Sequence, residues 1–194
     1  MKLELKHMYI HLIKPTLDFL LALIASILLL PLLFVISIIL SFIHQGNPVF
    51  TQKRIGQHAQ TFTIYKFKTI TNQGNSTPFL QKLRNYKLDE LPQLLNILKL
   101  EMSFVGPRPD IPGYYDQLEE KYKPILDVKP GLTGYASLAF ANEEALLKRQ
   151  ENPLEYNDEV IFPKKLEINL KYRQNISLYQ DIKIMIKTLL LPFQ

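Results

Sequence analysis

The sequence predicts an α+β fold, mainly helical, in which an N-terminal membrane anchor (residues 1–44) precedes a small domain (residues 45–194) with a short β-hairpin and amphipathic helices. Three observations predict it. Phe19–Ile43 is a run of 25 residues without one charge, FLLALIASILLLPLLFVISIILSFI. Two short stretches of alternating β-branched and aromatic residues follow, and from Asp89 onward apolar residues recur at helical spacing.

The anchor comes first. At 1.5 Å per residue the run makes a helix of roughly 37 Å, against a hydrocarbon core of about 30 Å. A cleaved signal peptide has a shorter apolar stretch and a small-residue cleavage site, whereas Gln45-Gly46-Asn47-Pro48 reads as a turn. Pro31 falls in mid-run, where it removes one backbone hydrogen bond and kinks a helix. A kinked span and a re-entrant hairpin broken at Pro31 both fit. Lys2, Lys6 and Lys14 precede the run and Lys53 and Arg54 follow it, which slightly favours both ends on the cytoplasmic side.

In the domain, Pro48–Gln52 and Thr61–Phe67 read as strands joined by a turn at Arg54–Gln57, and Thr71–Pro78 as a loop. Leu91, Leu94, Leu95 and Leu98 place a helix over Asp89–Leu100, with Pro92 admissible only in its first turn. Gly113–Lys123 reads as a short helix and Lys129–Gly134 as loop. Two further helices follow, near Glu143–Arg149 and Pro163–Tyr172. Ile182–Leu191, apolar with Lys183 and Lys187, suits either an amphipathic helix on the membrane surface or a core helix.

Charge narrows the function. The chain carries a formal net charge of +5 and no cysteine, which removes disulfides and thiolate metal sites. Between Asp18 and Asp89 there is no acid, while Lys53, Arg54, Lys66, Lys68, Lys82, Arg84 and Lys87 fall in that interval. Such a one-signed stretch meets lipid, phosphate or solvent. A nucleic-acid partner is not expected, because the basic residues are dispersed and a membrane segment dominates the chain.

Asp89-Glu90 at a helix start fits simple charge placement at a helix N-terminus, and equally a phosphate-handling site, given the basic residues around it. Arg108 stands between Pro107 and Pro109, which hold its backbone nearly fixed and present a planar donor fork suited to phosphate. Lys66 and Lys68 share one face of a strand. Gly131, Thr133 and Gly134 lie in a loop whose glycines would let backbone approach a phosphate. The histidines have no metal-ligand spacing.

Five ordered segments carry a resemblance. They are Tyr65–Thr69 (YKFKT), Leu88–Leu94 (LDELPQL), Met102–Pro109 (MSFVGPRP), Lys129–Gly134 (KPGLTG) and the closing Asn175-Ile176-Ser177 with Asp181-Ile182-Lys183. Together with Lys14, Asp18 and Pro31 at the start, they resemble the bacterial sugar transferase family. These are the monotopic polyprenyl-phosphate phosphoglycosyl transferases, here in their PglC-like minimal form. The resemblance implies transfer of a sugar phosphate from a UDP-sugar to polyprenyl (undecaprenyl) phosphate, with UMP released, as the first membrane step of glycan assembly. It implies Asp89 as nucleophile and magnesium ligand, Glu90 as the group assisting the acceptor, and Arg84 and Arg108 as phosphate binders. Lys66 and Lys68 join that phosphate set, with Pro107, Pro109, Gly131, Thr133 and Gly134 in loops near substrate. The cofactor expected is Mg2+; a homodimer is carried as a further expectation. The resemblance also implies a re-entrant anchor broken at Pro31, with the catalytic domain on the cytoplasmic face of the bacterial inner membrane. Three departures stand out. Leu30 replaces a usual serine, Leu100 replaces a usual glycine, and the charged stretch from Ala141 to Lys171 matches the minimal members poorly.

Overall fold

The computed structural model describes residues 2–71 and 74–191. The chain begins with α1 (Lys2–Met8), a π-helical turn (Tyr9–Ile13) and the long helix α2 (Lys14–His44). The expected helix-break-helix is corrected here, because α2 runs unbroken through Pro31. Pro31 removes one backbone hydrogen bond, which the many remaining bonds of a 31-residue helix of strongly apolar, helix-compatible residues outweigh.

α2 is not uniformly apolar in its contacts. Lys14, Asp18, Ala22, Ala25, Leu29, Leu33, Ile36, Leu40 and His44 are buried or half-buried, a stripe that repeats every eleven residues, or three turns. That period is close to the helical one, so the stripe runs almost parallel to the axis. Ala22, Ala25 and Leu29 pack against Ile64, Leu94, Ile97 and Met102, and Leu33, Ile36 and Leu40 against Phe67, Leu80 and Leu83. The opposite face leaves Leu20, Ile24, Ile27, Leu28, Phe34 and Phe42 exposed.

β1 (Val49–Ile55) and β2 (Thr61–Phe67) form the antiparallel hairpin, Val49 opposite Phe67 and Ile55 opposite Thr61. Its connection lies later than Arg54–Gln57: β1 continues through Ile55, and Gly56–Gln60 makes the turn with His58 and Ala59 at positive φ. Of the loop expected at Thr71–Pro78, Asn72 and Gln73 lie outside the described residues. α3 (Pro78–Asn85) is capped by the Thr77 side chain, which accepts from Leu80 N, and buries Leu80 and Leu83. Lys87 then adopts a left-handed backbone, φ 57°, and turns the chain.

The helix expected over Asp89–Leu100 is corrected in form. Leu88–Gln93 is a 3-10 turn and only Leu94–Leu98 is α-helix, here α4. Pro92 has no N–H to donate back to Leu88, so the first turn tightens. The short helix expected at Gly113–Lys123 is replaced by 3-10 turns at Tyr115–Gln117 and Glu120–Asp127. Gly113 at φ 105° and Pro124 deny a longer helix its ends.

Lys129–Gly134 is not all loop. β3 (Ser103–Val105) pairs in parallel with β4 (Gly131–Thr133). The pairing needs three glycines: a Cβ on Gly131 would stand 2.1 Å from Gly106 N, on Gly106 2.4 Å from Lys129 O, and on Gly134 2.3 Å from Gly106 O. Helices α5 (Tyr135–Ala139), α6 (Glu143–Leu147), α7 (Pro153–Tyr156), α8 (Phe162–Asn175) and α9 (Leu178–Leu190) follow. α9 meets both descriptions given for the tail: Ile184 is fully buried with Val105, Val128 and Tyr172, while Tyr179, Ile182, Ile186 and Leu189 are exposed.

Buried polar groups fasten α2 at both ends. Asp181 of α9 accepts Tyr9 OH, Lys14 Nζ and Tyr172 OH, each at 2.6 Å. Asp18 accepts Ser103 Oγ at 2.7 Å. At the other end His44 Nε2 lies 3.0 Å from Lys68 O.

Candidate active site

The site forms where the 3-10 turn Leu88–Gln93 meets β2 and the loop after β3. Lys87 closes α3 by donating its N–H to Arg84 O, and Glu90 N donates to Lys87 O, so the left-handed turn delivers Asp89 and Glu90 onto the end of the β-hairpin. Glu90 is 6% exposed. Its Oε1 accepts Lys66 Nζ at 3.0 Å and Arg108 Nη2 at 2.6 Å, and its Oε2 accepts Arg108 Nη1 at 3.2 Å. The arginine fork between two prolines thus grips a carboxylate through two donors.

Asp89 differs from its neighbour in its partners. Its Oδ1 is buried and, among the described residues, has no hydrogen-bond partner. Burial, reinforced by the charge of Glu90, pushes its carboxyl up to about 6, against the opposing pull of Lys66 and Lys87. For Glu90, burial works upward too, but the charge and hydrogen bonds of Arg108, then those of Lys66, overcome it and hold the group at about 2. Burial lowers Lys66, and Glu90 works against that shift; Arg108 is raised, chiefly by the Glu90 charge. Two adjacent carboxylates are therefore driven apart, one a fixed anion and one titrating near neutrality.

The remaining predicted residues separate into those the fold gathers and those it places elsewhere. Arg84, on α3, donates to Glu144 Oε2 at 2.7 Å. Lys68 lies beyond the end of β2; its N–H donates to Pro48 O and its carbonyl meets His44. Pro107 O accepts Gly131 N, and Pro109 O accepts Arg54 Nη1 at 3.5 Å. The close approach served by Gly131 and Gly134 is between two stretches of backbone, and Thr133 Oγ1 meets Thr188 Oγ1 at 2.7 Å, tying β4 to α9. Together these contacts set the loop that carries Arg108.

Asn96 went unread in the sequence. It is 0% exposed, accepts Tyr65 N at 3.3 Å and donates to Thr63 O at 2.7 Å and Glu101 Oε2 at 2.8 Å. By clamping β2 to α4 it holds Lys66 opposite Glu90. The signal was present: one amide inside the apolar run Leu94–Leu98. Gln93, 3% exposed with an unpartnered Nε2 among the described residues, lies one helical turn beyond Asp89.

Of the two carboxylates here, Asp89 is the one with an oxygen left, among the described residues, to meet a magnesium ion. No group of three or more histidine and acidic side chains able to hold a metal occurs among the described residues. Glu90 is already committed to two cations, which leaves the free, buried Oδ1 of Asp89. Magnesium commonly binds with one or two protein carboxylates, the rest of its shell being water and substrate phosphate.

An aspartate oxygen without a partner among the described residues stands beside a glutamate held by arginine and lysine, on residues packed along one side of a long apolar helix. The chain belongs to the bacterial sugar transferase family, whose pattern matches residues 9–194. It is 37% identical to the uncharacterised sugar transferase EpsL of Bacillus subtilis, over 74% of this chain and 69% of that protein. It is 31% identical to the UDP-glucose:undecaprenyl-phosphate glucose-1-phosphate transferase of Escherichia coli, over 94% of this chain and 40% of that protein, so it spans well under half of that relative's length. It is also 31% identical to the exopolysaccharide production protein ExoY of Sinorhizobium fredii, over 91% of this chain and 83% of that protein.

Proposed function

We propose that this protein transfers a sugar phosphate from a UDP-sugar to polyprenyl phosphate, releasing UMP, in the first membrane step of assembling a glycan such as an exopolysaccharide. The observation that carries the reading is the contrast at Asp89-Glu90: a buried carboxylate oxygen without a partner among the described residues beside a carboxylate held by Lys66 and Arg108. The names of the relatives support the reaction class.

In the mechanism we infer, Asp89 attacks the β-phosphorus of the donor. Its carboxylate oxygen forms a bond to phosphorus as the bridging oxygen leaves with UMP, and an aspartyl phosphosugar remains. A phosphate oxygen of the polyprenyl acceptor then attacks the same phosphorus and displaces Asp89, giving a diphosphate-linked sugar. A carboxyl that titrates at about 6 is largely ionised at pH 7 yet more basic than an ordinary aspartate, which suits a nucleophile. Asp89 Oδ1 would be the group to hold magnesium, which when bound would supply charge neutralisation for the donor's pyrophosphate. Arg108 and Lys66, already oriented by Glu90, turn toward the same developing charge. A Glu90 that titrates at about 2 is a poor base. It gains proton affinity only as the donor's phosphates draw Arg108 and Lys66 away, so its part in assisting the acceptor follows donor binding.

How α2 is fastened supports the placement we propose in the membrane. Its ends are held to one domain, by Asp181 near Lys14 and by the Lys68 carbonyl at His44, and its inner stripe packs on that domain between them. A helix so attached keeps both ends on one side of a bilayer and offers its outer face to lipid. We place that side at the cytoplasmic face of the bacterial inner membrane, where UDP-sugars are made.

The test uses the purified full-length protein with undecaprenyl phosphate, Mg2+ and a panel of UDP-sugars, scored for UMP release and by intact mass. At least one donor is expected to release UMP and to add its sugar phosphate to the protein, with the adduct absent from Asp89→Asn. Turnover that survives in Asp89→Asn would remove Asp89 as nucleophile.

A further inference from the structure

The charged stretch after Ala141 has no part in the reaction above, yet the fold pairs it with Arg84. Glu144 of α6 accepts Arg84 Nη2 at 2.7 Å, the two side chains 60% and 37% exposed. Its other oxygen accepts Lys148 Nζ at 2.8 Å from the residue that ends the same helix. Glu143, the adjacent residue, pairs with Lys165 of α8 at 2.7 Å. Lys87, beside the catalytic turn, lies within charge reach of both Asp89 and Glu144, and Glu143 acts on Arg108.

What holds α6 there is equally informative. From Ser137 to Val160 no residue is buried, so α6 and α7 contribute no side chain to the core. Segments with few buried apolar contacts occupy the low-stability end of a structure and open locally. This one is attached largely through ion pairs, and exposed pairs are weak. A carboxylate oxygen that accepts one guanidinium N–H also sits where a phosphate oxygen would accept it.

We propose that Glu144 is an acidic stand-in for the donor's phosphate: it occupies Arg84 in the free enzyme and yields it to the nucleoside diphosphate, freeing α6 from Arg84. The exchange is nearly balanced. When Arg84 turns to phosphate, Glu144 keeps Lys148 and is not left unpaired, while the Glu143–Lys165 pair retains the segment on α8. Glu144 thus raises the threshold for donor binding and screens Arg84 from other anions. The proposal rests on the donor reading above and on extending it to Arg84 as a phosphate binder, the role the family resemblance implies.

UDP, the part common to all UDP-sugars, is the probe, titrated calorimetrically into the full-length protein in detergent with Mg2+. Glu144→Gln is expected to tighten UDP two- to fivefold, equivalent to about 0.4–1 kcal/mol, the usual worth of an exposed pair. Arg84→Gln should weaken UDP, and adding Glu144→Gln to it should then change nothing. UDP should also speed trypsin cleavage at Lys148 and Arg149 in the wild type, while Glu144→Gln is cut at the faster rate without it. Equal affinity in wild type and Glu144→Gln overturns the stand-in and leaves the donor reading intact. The same tightening in the Arg84→Gln background reduces Glu144 to a diffuse charge and also overturns it. Absence of UDP binding to the wild type removes the donor reading itself.

Discussion

Replacing Asp89 by asparagine separates chemistry from stability in a way the site geometry makes quantitative. The carboxyl rises from 3.8 to about 6 on folding, mainly through burial. At about 1.4 kcal/mol per pH unit, holding this group ionised in the folded state costs about 3 kcal/mol. Its partial exposure and solvent screening reduce that to about 1–3 kcal/mol. The sign follows from proton counting. Between pH 4 and 6 the folded protein binds the extra proton, so stability falls as pH rises through that window and is level above it. An asparagine at this position cannot ionise and escapes the penalty. In EDTA-treated protein, Asp89→Asn should therefore melt higher than wild type at pH 7.5, by roughly 2–12 °C at 2–4 °C per kcal/mol for a chain of this size. The gap should shrink toward zero by pH 4, while UMP release is lost at every pH. Melting curves across pH 4–8 supply the comparison. A gap that does not change with pH, or a less stable variant at pH 7.5, would refute the claim that burial raises the Asp89 carboxyl.

Three further outcomes test the scaffold. Gly131→Ala forces a Cβ to within 2.1 Å of Gly106 N and should cost about 3 kcal/mol or more, whereas Gly74→Ala, at φ 80° with open space around it, should cost about 1 kcal/mol; thermal unfolding compares them. Leu100 holds a left-handed backbone, φ 61°, with its side chain 50% exposed, so Leu100→Gly should stabilise the protein by about 0.5–1 kcal/mol, read by the same melts. Asp181→Asn leaves Lys14 without its closest buried partner and should cost about 3–5 kcal/mol, with α1 and the start of α2 losing protection in hydrogen exchange.

Much of this protein could be read from its residues because the relevant physics is local. The uncharged run from Phe19 to Ile43, the alternation in Thr61–Phe67 and the Asp89-Glu90 and Pro107-Arg108-Pro109 motifs each declare themselves within a few positions. Lys66, Glu90 and Arg108 all stand out as site residues in the sequence, and the fold brings them together. Legibility failed where the deciding contact was distant. Lys129–Gly134 reads as loop because its pairing partner is Ser103–Val105, and nothing in either segment announces the other. Asn96 reads as one amide in an apolar helix until Thr63, Tyr65 and Glu101 surround it.

The sequence by itself determined which residues are chemically available: a carboxylate pair, an arginine held by two prolines, and an apolar segment that water would reject. Only the tertiary structure decided how they are used. Sequence could not say which carboxylate would stay free, because that depends on Glu90 reaching Lys66 and Arg108 while Asp89 Oδ1 finds no partner among the described residues. Nor could it say that α2 lies against the domain from Lys14 to His44. Its apolar residues serve lipid and core alike, and only packing against Ile64, Ile97 and Phe67 distinguishes the two faces.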